Sequence, residues 1–474
     1  MCISDDTATS CKFDTWSLID WGEVEKFVRN MQIKIAEATK ARDWRRVNRL
    51  QYKLTHSFRA KLLAVKVVTS NKGKNTPGVD GSVWRTDHGK LEGAKSLIRQ
   101  DYKPEPLRRV EIPKSNGKMR PLGIPTMRDR AMQCLYKFSL EPVAEILADK
   151  DSYGFRPMRS CHDAIERCFD IYKREDSAQW VLEGDIEKCF DKISHEWLLE
   201  NVHMDKSILN AWLRAGFVWE GDLFPTDEGT PQGGIISPIL ANLALDGIEA
   251  ELAFVFGKKG GVGDKRRRLL KINFVRYADD FVISCSDKDV LENEVKPFLR
   301  NFLAKRGLKL SEEKTKITHI DDGFDFLGFN IRKFKGKLII KPAKKSVIRF
   351  LREVKEIFVS NKNAKLENVI RLLNWKIRGW CNYYSHAISS RTFSKVGHRI
   401  WQMCWKWSIY RHPNKGKHWV MKKYFFNRGE RSWIFGTSEH SLILLNRIPI
   451  KRHVKIQRDA EVFNPIWDNY FENR

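Results

Sequence analysis

The stretch FVRYADDFVI, residues 274–283, sets two adjacent carboxylates, Asp279 and Asp280, between two short apolar and aromatic runs. Such runs predict buried strands, and Tyr277-Ala278-Asp279-Asp280 falls where a tight turn would join INFVR to FVIS as a hairpin. Like charges side by side at that place are costly unless a cation offsets them. A lone Asp-Asp pair reads most simply as a solvated turn, but this pair has company. VLEGDIEKCFDKISH (181–195) ends an apolar strand in Asp185, so a second strand could bring one more carboxylate against the hairpin. Carboxylates from two strands can bridge two divalent ions about 4 Å apart, as in-line phosphoryl displacement requires. The reaction class this points to is nucleotidyl transfer, which needs neither a histidine nor a serine nucleophile.

The 474 residues, 42% hydrophobic and 31% charged, suit a soluble globular protein of two or three domains. No segment approaches the roughly 18 consecutive apolar residues of a membrane span. MCISDDTATS lacks the order of a secretory signal, so a cytoplasmic protein with no membrane partner is expected. The nine cysteines contain no C-x-x-C pair and read as reduced thiols. The net charge of +27 is unevenly spread: residues 331–474 hold 32 Lys+Arg against 9 Asp+Glu, a net of +23, whereas residues 1–330 hold 54 against 50. That last third also carries Trp375, Trp380, Trp401, Trp405, Trp407 and Trp419, and such a field suits a surface that neutralises nucleic-acid phosphates. The charge carries this reading; the tryptophans, at helical spacing, are read as core.

Val24, Phe27, Val28, Met31 and Ile35 recur at helical intervals, and a second helix is expected from about Asp43. SNKGKNTPGVDGS (70–82) reads as a loop that ends this helical region, with a boundary near residue 85. LRRVEIPKSNGKMRPLGIP (107–125) alternates around Asn116-Gly117 and reads as a hairpin bearing Lys114, Lys118 and Arg120. Residues 126–150 read as helix, QWVLEGDI (179–186), GFDFLGFNI (323–331) and KGKLIIK (335–341) as strands, and residues after about 344 as mostly helical.

The ordered set Asp185 with Phe190, GTPQGGIISPILAN (229–242), Tyr277-Ala278-Asp279-Asp280, SEEKTKI (311–317) and FDFLGF (324–329) resembles the successive motifs of reverse transcriptases. TPGVDG (76–81), RRVEIPKSNGKMRPLGIP and YGFRP (153–157) narrow the resemblance to the enzymes encoded by group II introns, and it runs from about residue 16 to beyond 420. It implies an α+β right-hand polymerase. Its parts would be an N-terminal helical extension (1–85), fingers and palm (86–340), an α-helical thumb and maturase domain X (341–425), and a basic C-terminal segment (426–474) that is a candidate DNA-binding region. LLNWKIRGWCNYYSHA (372–387) carries the likeness to domain X, and RSWIF with IPIKRHVKI (447–455) the likeness to the basic region. Many relatives continue into a Cys- and His-rich endonuclease domain; this sequence ends at Arg474 without one, so second-strand cleavage is not expected of it.

By the same resemblance, Asp185, Asp279 and Asp280 form the catalytic acidic centre. Asp185, Asp279 and the backbone carbonyl of Ile186 would ligate two Mg2+ ions, for which Mn2+ is a substitute. Phe190 takes the place of the steric gate against a 2′-hydroxyl, with simple core packing as its alternative. Lys114 and Arg120 would neutralise the triphosphate of the incoming deoxynucleotide, and Gln232 and Gly233 would underlie the templating base pair. Lys314 is a candidate general acid for the departing pyrophosphate, and Phe326, Leu327, Gly328 and Phe329 resemble the primer grip. The implied partners are group II intron RNA, an RNA template, a DNA primer or target, and deoxynucleoside triphosphates. Two other readings stay open here: an RNA-binding splicing cofactor with a vestigial polymerase, and a reverse transcriptase domesticated for DNA repair or phage defence.

Overall fold

The structure, a computed structural model, describes residues 15–113, 117, 119–230, 233–256, 269–429 and 431–474, with the backbone alone for Arg431. Three helices open it: α1 (Trp21–Lys40), α2 (Trp44–His56) and α3 (Phe58–Ser70). Asp20 and Asp43 cap the first two by accepting from the Glu23 and Arg46 N–H groups, and α1 buries the stripe Val24, Val28, Met31 and Ile35 that its spacing predicts. After α4 (Asp87–Lys95), β1 (Leu107–Pro113) and β2 (Met119–Ile124) form the expected antiparallel hairpin. Lys114 and Lys118 lie outside the described residues. Helix α5 (Met127–Leu147) receives α1 and α3 against its side. One continuous hydrophobic core therefore runs from Trp16 to Leu310: Leu91 and Ala94 of α4, beyond residue 85, pack in the same core as α1 and α3, and the change from helix to strand comes later, between Lys95 and Leu107.

Beyond α6 (Cys161–Tyr172), β3 (Trp180–Asp185) enters a second sheet. Helices α7 (Cys189–Lys192), α8 (His195–Asn201) and α9 (Lys206–Leu213) follow, and β4 (Phe217–Trp219) and β5 (Asp222–Phe224) then extend the first sheet in the order β2-β1-β4-β5. Helices α10 (Ser237–Leu245) and α11 (Ile248–Phe256) precede β6 (Asn273–Tyr277) and β7 (Asp280–Cys285). With β8 (Lys316–His319), reached through α12 (Lys296–Ala304), these complete an antiparallel sheet of order β6-β7-β3-β8. Both its faces are covered. Leu182, Phe274, Phe281 and Ile283 point into the first core, while Val181, Val275 and Val282 point into a second core shared with the C-terminal helices. A two-faced strand has no exposed side to alternate with, hence the nearly unbroken apolar runs beside the aspartates.

Residues 323–331 are two strands, where the sequence suggested one. β9 (Phe324–Phe326) turns back at Leu327 (φ 48°) and Gly328 (φ 81°) into β10 (Phe329–Phe334), which pairs in turn with β11 (Lys337–Pro342). Two positive φ values in a two-residue loop match the twist of the flanking strands. Helices α13 (Lys344–Ser360), α14 (Leu366–Tyr384), α15 (Ser390–Tyr410) and α16 (Lys417–Tyr424) then build the second core, and β12 (Phe425–Arg428) pairs with β13 (Arg431–Phe435). The tryptophans divide. Trp407 is buried and Trp380 stacks on Phe350, but Trp375 and Trp419 are exposed beside Arg371 and Lys423, contrary to the core reading. Trp375 falls outside the stripe Val369, Ile370, Leu373, Ile377, Cys381 and Tyr384 that α14 buries.

The chain after β13 returns to α6, α11 and α1. Lys455 pairs with Asp170, Arg458 with Glu249, and Arg474 with buried Asp163; farther along, Arg29 of α1 donates to the Val462 carbonyl and pairs with Asp468 at 2.7 Å. Several cations of the expected DNA-binding segment are thus engaged within the chain. Among the described residues the cysteines are free, and no helix is long and apolar enough to cross a membrane.

Candidate active site

Strand register brings the carboxylates together. Asp185, ending β3, sits directly opposite Asp280, beginning β7, and Asp279 occupies the turn between β6 and β7. All three line one cleft of about 1960 Å³. Burial, and then the negative charges of Asp279 and Asp185, push the Asp280 carboxyl up to about 6. Burial likewise raises Asp279, against the pull of Arg120 and Lys314. The Lys314 ammonium donates to Asp185 Oδ2 at 2.5 Å, and that hydrogen bond raises its own pKa. Lys314 is 65% exposed against 16% for Asp185, so its long stem reaches in from the rim. Three carboxylates outnumber the two cations, Lys314 and Arg120, that act on Asp279, and the site is left short of positive charge. Hard oxygen donors with an excess of negative charge fit Mg2+ or Mn2+. Among the described residues no three acidic, histidine or cysteine side chains close into a cage, so the ions' remaining ligands would come from solvent or substrate.

The walls of the cleft hold most of the other expected site residues. Arg120 stands exposed on β2, and Phe190, half-buried on α7, meets the ring of Phe155 edge-on. Ile186 also lines the cleft, although the whole residue is only 2% exposed. Gly233 has φ +111°, and a Cβ there would lie 2.3 Å from the Gly123 carbonyl of β2, so this turn presses against the β1–β2 hairpin as no other residue could. Gln232, like Lys114, is outside the described residues. Of the FLGF turn only Leu327 reaches the cleft; Phe326 and Phe329 are buried in the second core. Tyr383 and Tyr384 of α14 donate to the Leu327 and Gly328 carbonyls at 2.7 and 3.1 Å, tying this turn to the helical end of the chain.

A buried polar frame beneath the aspartates escaped sequence reasoning. Arg276, on β6, is fully buried; its guanidinium donates to Asn242 Oδ1 (3.1 Å) and the Ala278 carbonyl (3.3 Å) and pairs with Asp246. Its main chain bonds to Asp151 and Tyr153. Ala278 itself holds the left-handed φ of +58°. Close by, a Cβ on Gly154 would lie 2.3 Å from Ala278 N, so YGFRP backs directly onto the turn. Arg156 fixes that loop by bonding the Asp149 and Ser152 carbonyls and Glu145. The signal was present: an arginine inside a run otherwise buried on both faces must have buried partners.

Comparison with known proteins gives the family. The family model for reverse transcriptase (RNA-dependent DNA polymerase) matches residues 112–331, that for the N-terminal domain of reverse transcriptase 16–97, and that for the group II intron maturase-specific domain 347–425. Protein YkfC of Escherichia coli (strain K12) is 32% identical over 348 residues, covering 66% of this chain and 88% of that protein. Group II intron-encoded protein LtrA of Lactococcus lactis subsp. cremoris is 29% identical over 464 residues, covering 78% of this chain and 76% of that one. A telomerase structure from Candida albicans, in complex with a fragment of telomeric RNA, aligns at TM-score 0.38 and 14% identity over 70% of this chain and 63% of that chain. The chain belongs to the group II intron-encoded reverse transcriptases: it is an RNA-directed DNA polymerase joined to a maturase domain.

Proposed function

We propose that Asp185 and Asp279, with the Ile186 carbonyl, hold two Mg2+ ions at the floor of the cleft, Mn2+ serving as a substitute, and that Asp280 completes the acidic centre. The observation that carries this reading is the pairing of Asp185 with Asp280 across β3 and β7, which places three carboxylates together in one cleft. Bound there, divalent ions would supply Lewis acidity toward a primer 3′-hydroxyl and counter-charge for the triphosphate. The protein's own residues do the rest. Arg120, with Lys114 of the same hairpin, pairs with the phosphates of a deoxynucleoside triphosphate. Lys314, held beside Asp185, donates its proton to the departing pyrophosphate oxygen. Phe190 fills the space a 2′-hydroxyl needs, Gly233 and Gln232 support the templating pair, and the turn Phe326–Phe329 seats the primer end. The helical end, rich in Lys and Arg, binds intron RNA to promote splicing and mobility.

The test is extension of a DNA primer on an RNA template, wild type beside Asp279→Ala, with intron splicing assayed in parallel. Asp279→Ala should eliminate extension and leave splicing assistance in place. Synthesis by the variant would remove Asp279 from the site, and loss of both activities in folded protein would contradict two separable functions. Intact Asp185, Asp279 and Asp280 favour a working polymerase over a vestigial one, because an RNA-binding cofactor has no use for them.

A further inference from the structure

Phe155 has no role in the fold that accounts for its geometry. It sits in YGFRP at φ +58°, a left-handed backbone costly for a residue with a bulky ring, and is 49% exposed. It belongs to neither hydrophobic core. Its ring instead lines the catalytic cleft, with its centroid 6.1 Å from that of Phe190 and the two planes at 81°. The conformation is held from below by the frame that holds the aspartates: Gly154 abuts Ala278 and its carbonyl accepts from Asn242 Nδ2 at 2.8 Å, while the Tyr153 N–H donates to the Arg276 carbonyl at 2.9 Å. Strain maintained by so rigid a support, on a side chain turned toward the reaction, signals a functional contact.

We infer that Phe155 is a specificity-determining residue that touches the incoming nucleotide. Phe155 meets Phe190 edge-on, and the two rings make one aromatic wall against the deoxyribose. Phe190 without this support has room to tilt, so exclusion of a 2′-hydroxyl depends on both rings. This rests on the reading of Phe190 as the sugar gate, and the experiment separates the two.

Single-nucleotide addition to a DNA primer on an RNA template is measured with a deoxynucleoside and the matching ribonucleoside triphosphate, for wild type, Phe190→Ala, Phe155→Gly and Phe155→Tyr. Glycine takes φ +58° without cost, so Phe155→Gly should melt at or above the wild-type temperature. It should nonetheless lose about tenfold or more in the ratio of kcat/KM values for deoxy over ribo substrate, and Phe155→Tyr should keep the wild-type ratio. An unchanged ratio in Phe155→Gly beside a lowered one in Phe190→Ala overturns the role of Phe155 alone. Unchanged ratios in both overturn the gate itself. A Phe155→Gly protein that melts well below wild type makes the ring a packing element and also overturns the inference.

Discussion

At the scale of single residues, Arg276 decides how the acidic centre is built. A fully buried guanidinium is tolerable because Asp246, Asn242 and the Ala278 carbonyl engage its two terminal nitrogens, and those contacts hold the turn on which Asp279 stands. Removing one partner of a buried pair leaves an uncompensated charge, which costs about 3–5 kcal/mol. Arg276→Met should therefore lower stability by about that amount in urea unfolding and reduce primer extension beyond what the loss of folded protein explains. A loss well under about 1 kcal/mol would mean that Asp246 finds another partner and that the frame is not the support described. Arg276→Lys should rescue only in part, since an ammonium lacks the planar fork that serves several acceptors at once. The neighbouring turn offers a second check. Gly233→Ala puts a methyl 2.3 Å from the Gly123 carbonyl at a φ of +111°. It should cut the extension rate while leaving RNA binding by the helical end unchanged, and wild-type extension would show that the turn relaxes freely.

At the scale of elements, the turn between β9 and β10 joins the polymerase to the maturase helices. Tyr383→Phe removes the hydrogen bond to the Leu327 carbonyl, a loss of about 1 kcal/mol. If the turn seats the primer, the variant should make shorter products per binding event while KM for the deoxynucleotide stays constant. Full-length products from Tyr383→Phe would detach α14 from primer positioning. The same turn shows what sequence can and cannot carry. FDFLGFNI keeps a strand-like composition straight through Leu327, so the reversal was hidden; its only signal was Gly328. The aspartates were legible for the opposite reason, since charge at the end of a two-faced strand breaks its pattern and needs a chemical cause. Arg276 broke the pattern as plainly, but its cause lies in Asp246 and Asn242 on another element, and composition does not reveal which elements meet. Trp375 and Trp419 were misjudged because helical spacing fixes a face without saying what, if anything, covers it.

At the scale of the whole molecule, charge is divided between partners and the fold itself. RNA binding by the full chain should weaken steeply with salt as counterions are released, and a flat response would argue against phosphate contacts. The tail is different, because its charges tie the molecule together. Asp163 accepts from the Ile456 N–H at 2.8 Å and from His453 Nε2 at 3.0 Å, pairs with Arg474, and caps α6 through Ser160. Burial alone would raise its pKa, but His453, the Ile456 N–H and Arg474 together outweigh burial and hold the carboxyl well below the usual range. A depressed pKa adds stability that is complete above the unfolded value of about 3.9 and is lost as pH falls from there through the folded value. The tail should therefore detach in acid, below about pH 4, before the two cores open. Hydrogen exchange at the Ile456 amide reads this directly: its protection should decline across that range in the wild type and be low already at neutral pH in Asp163→Asn. Equal protection in the two proteins at neutral pH would show that the apolar contacts of Val462 and Phe463, rather than the buried carboxylate, hold the tail in place.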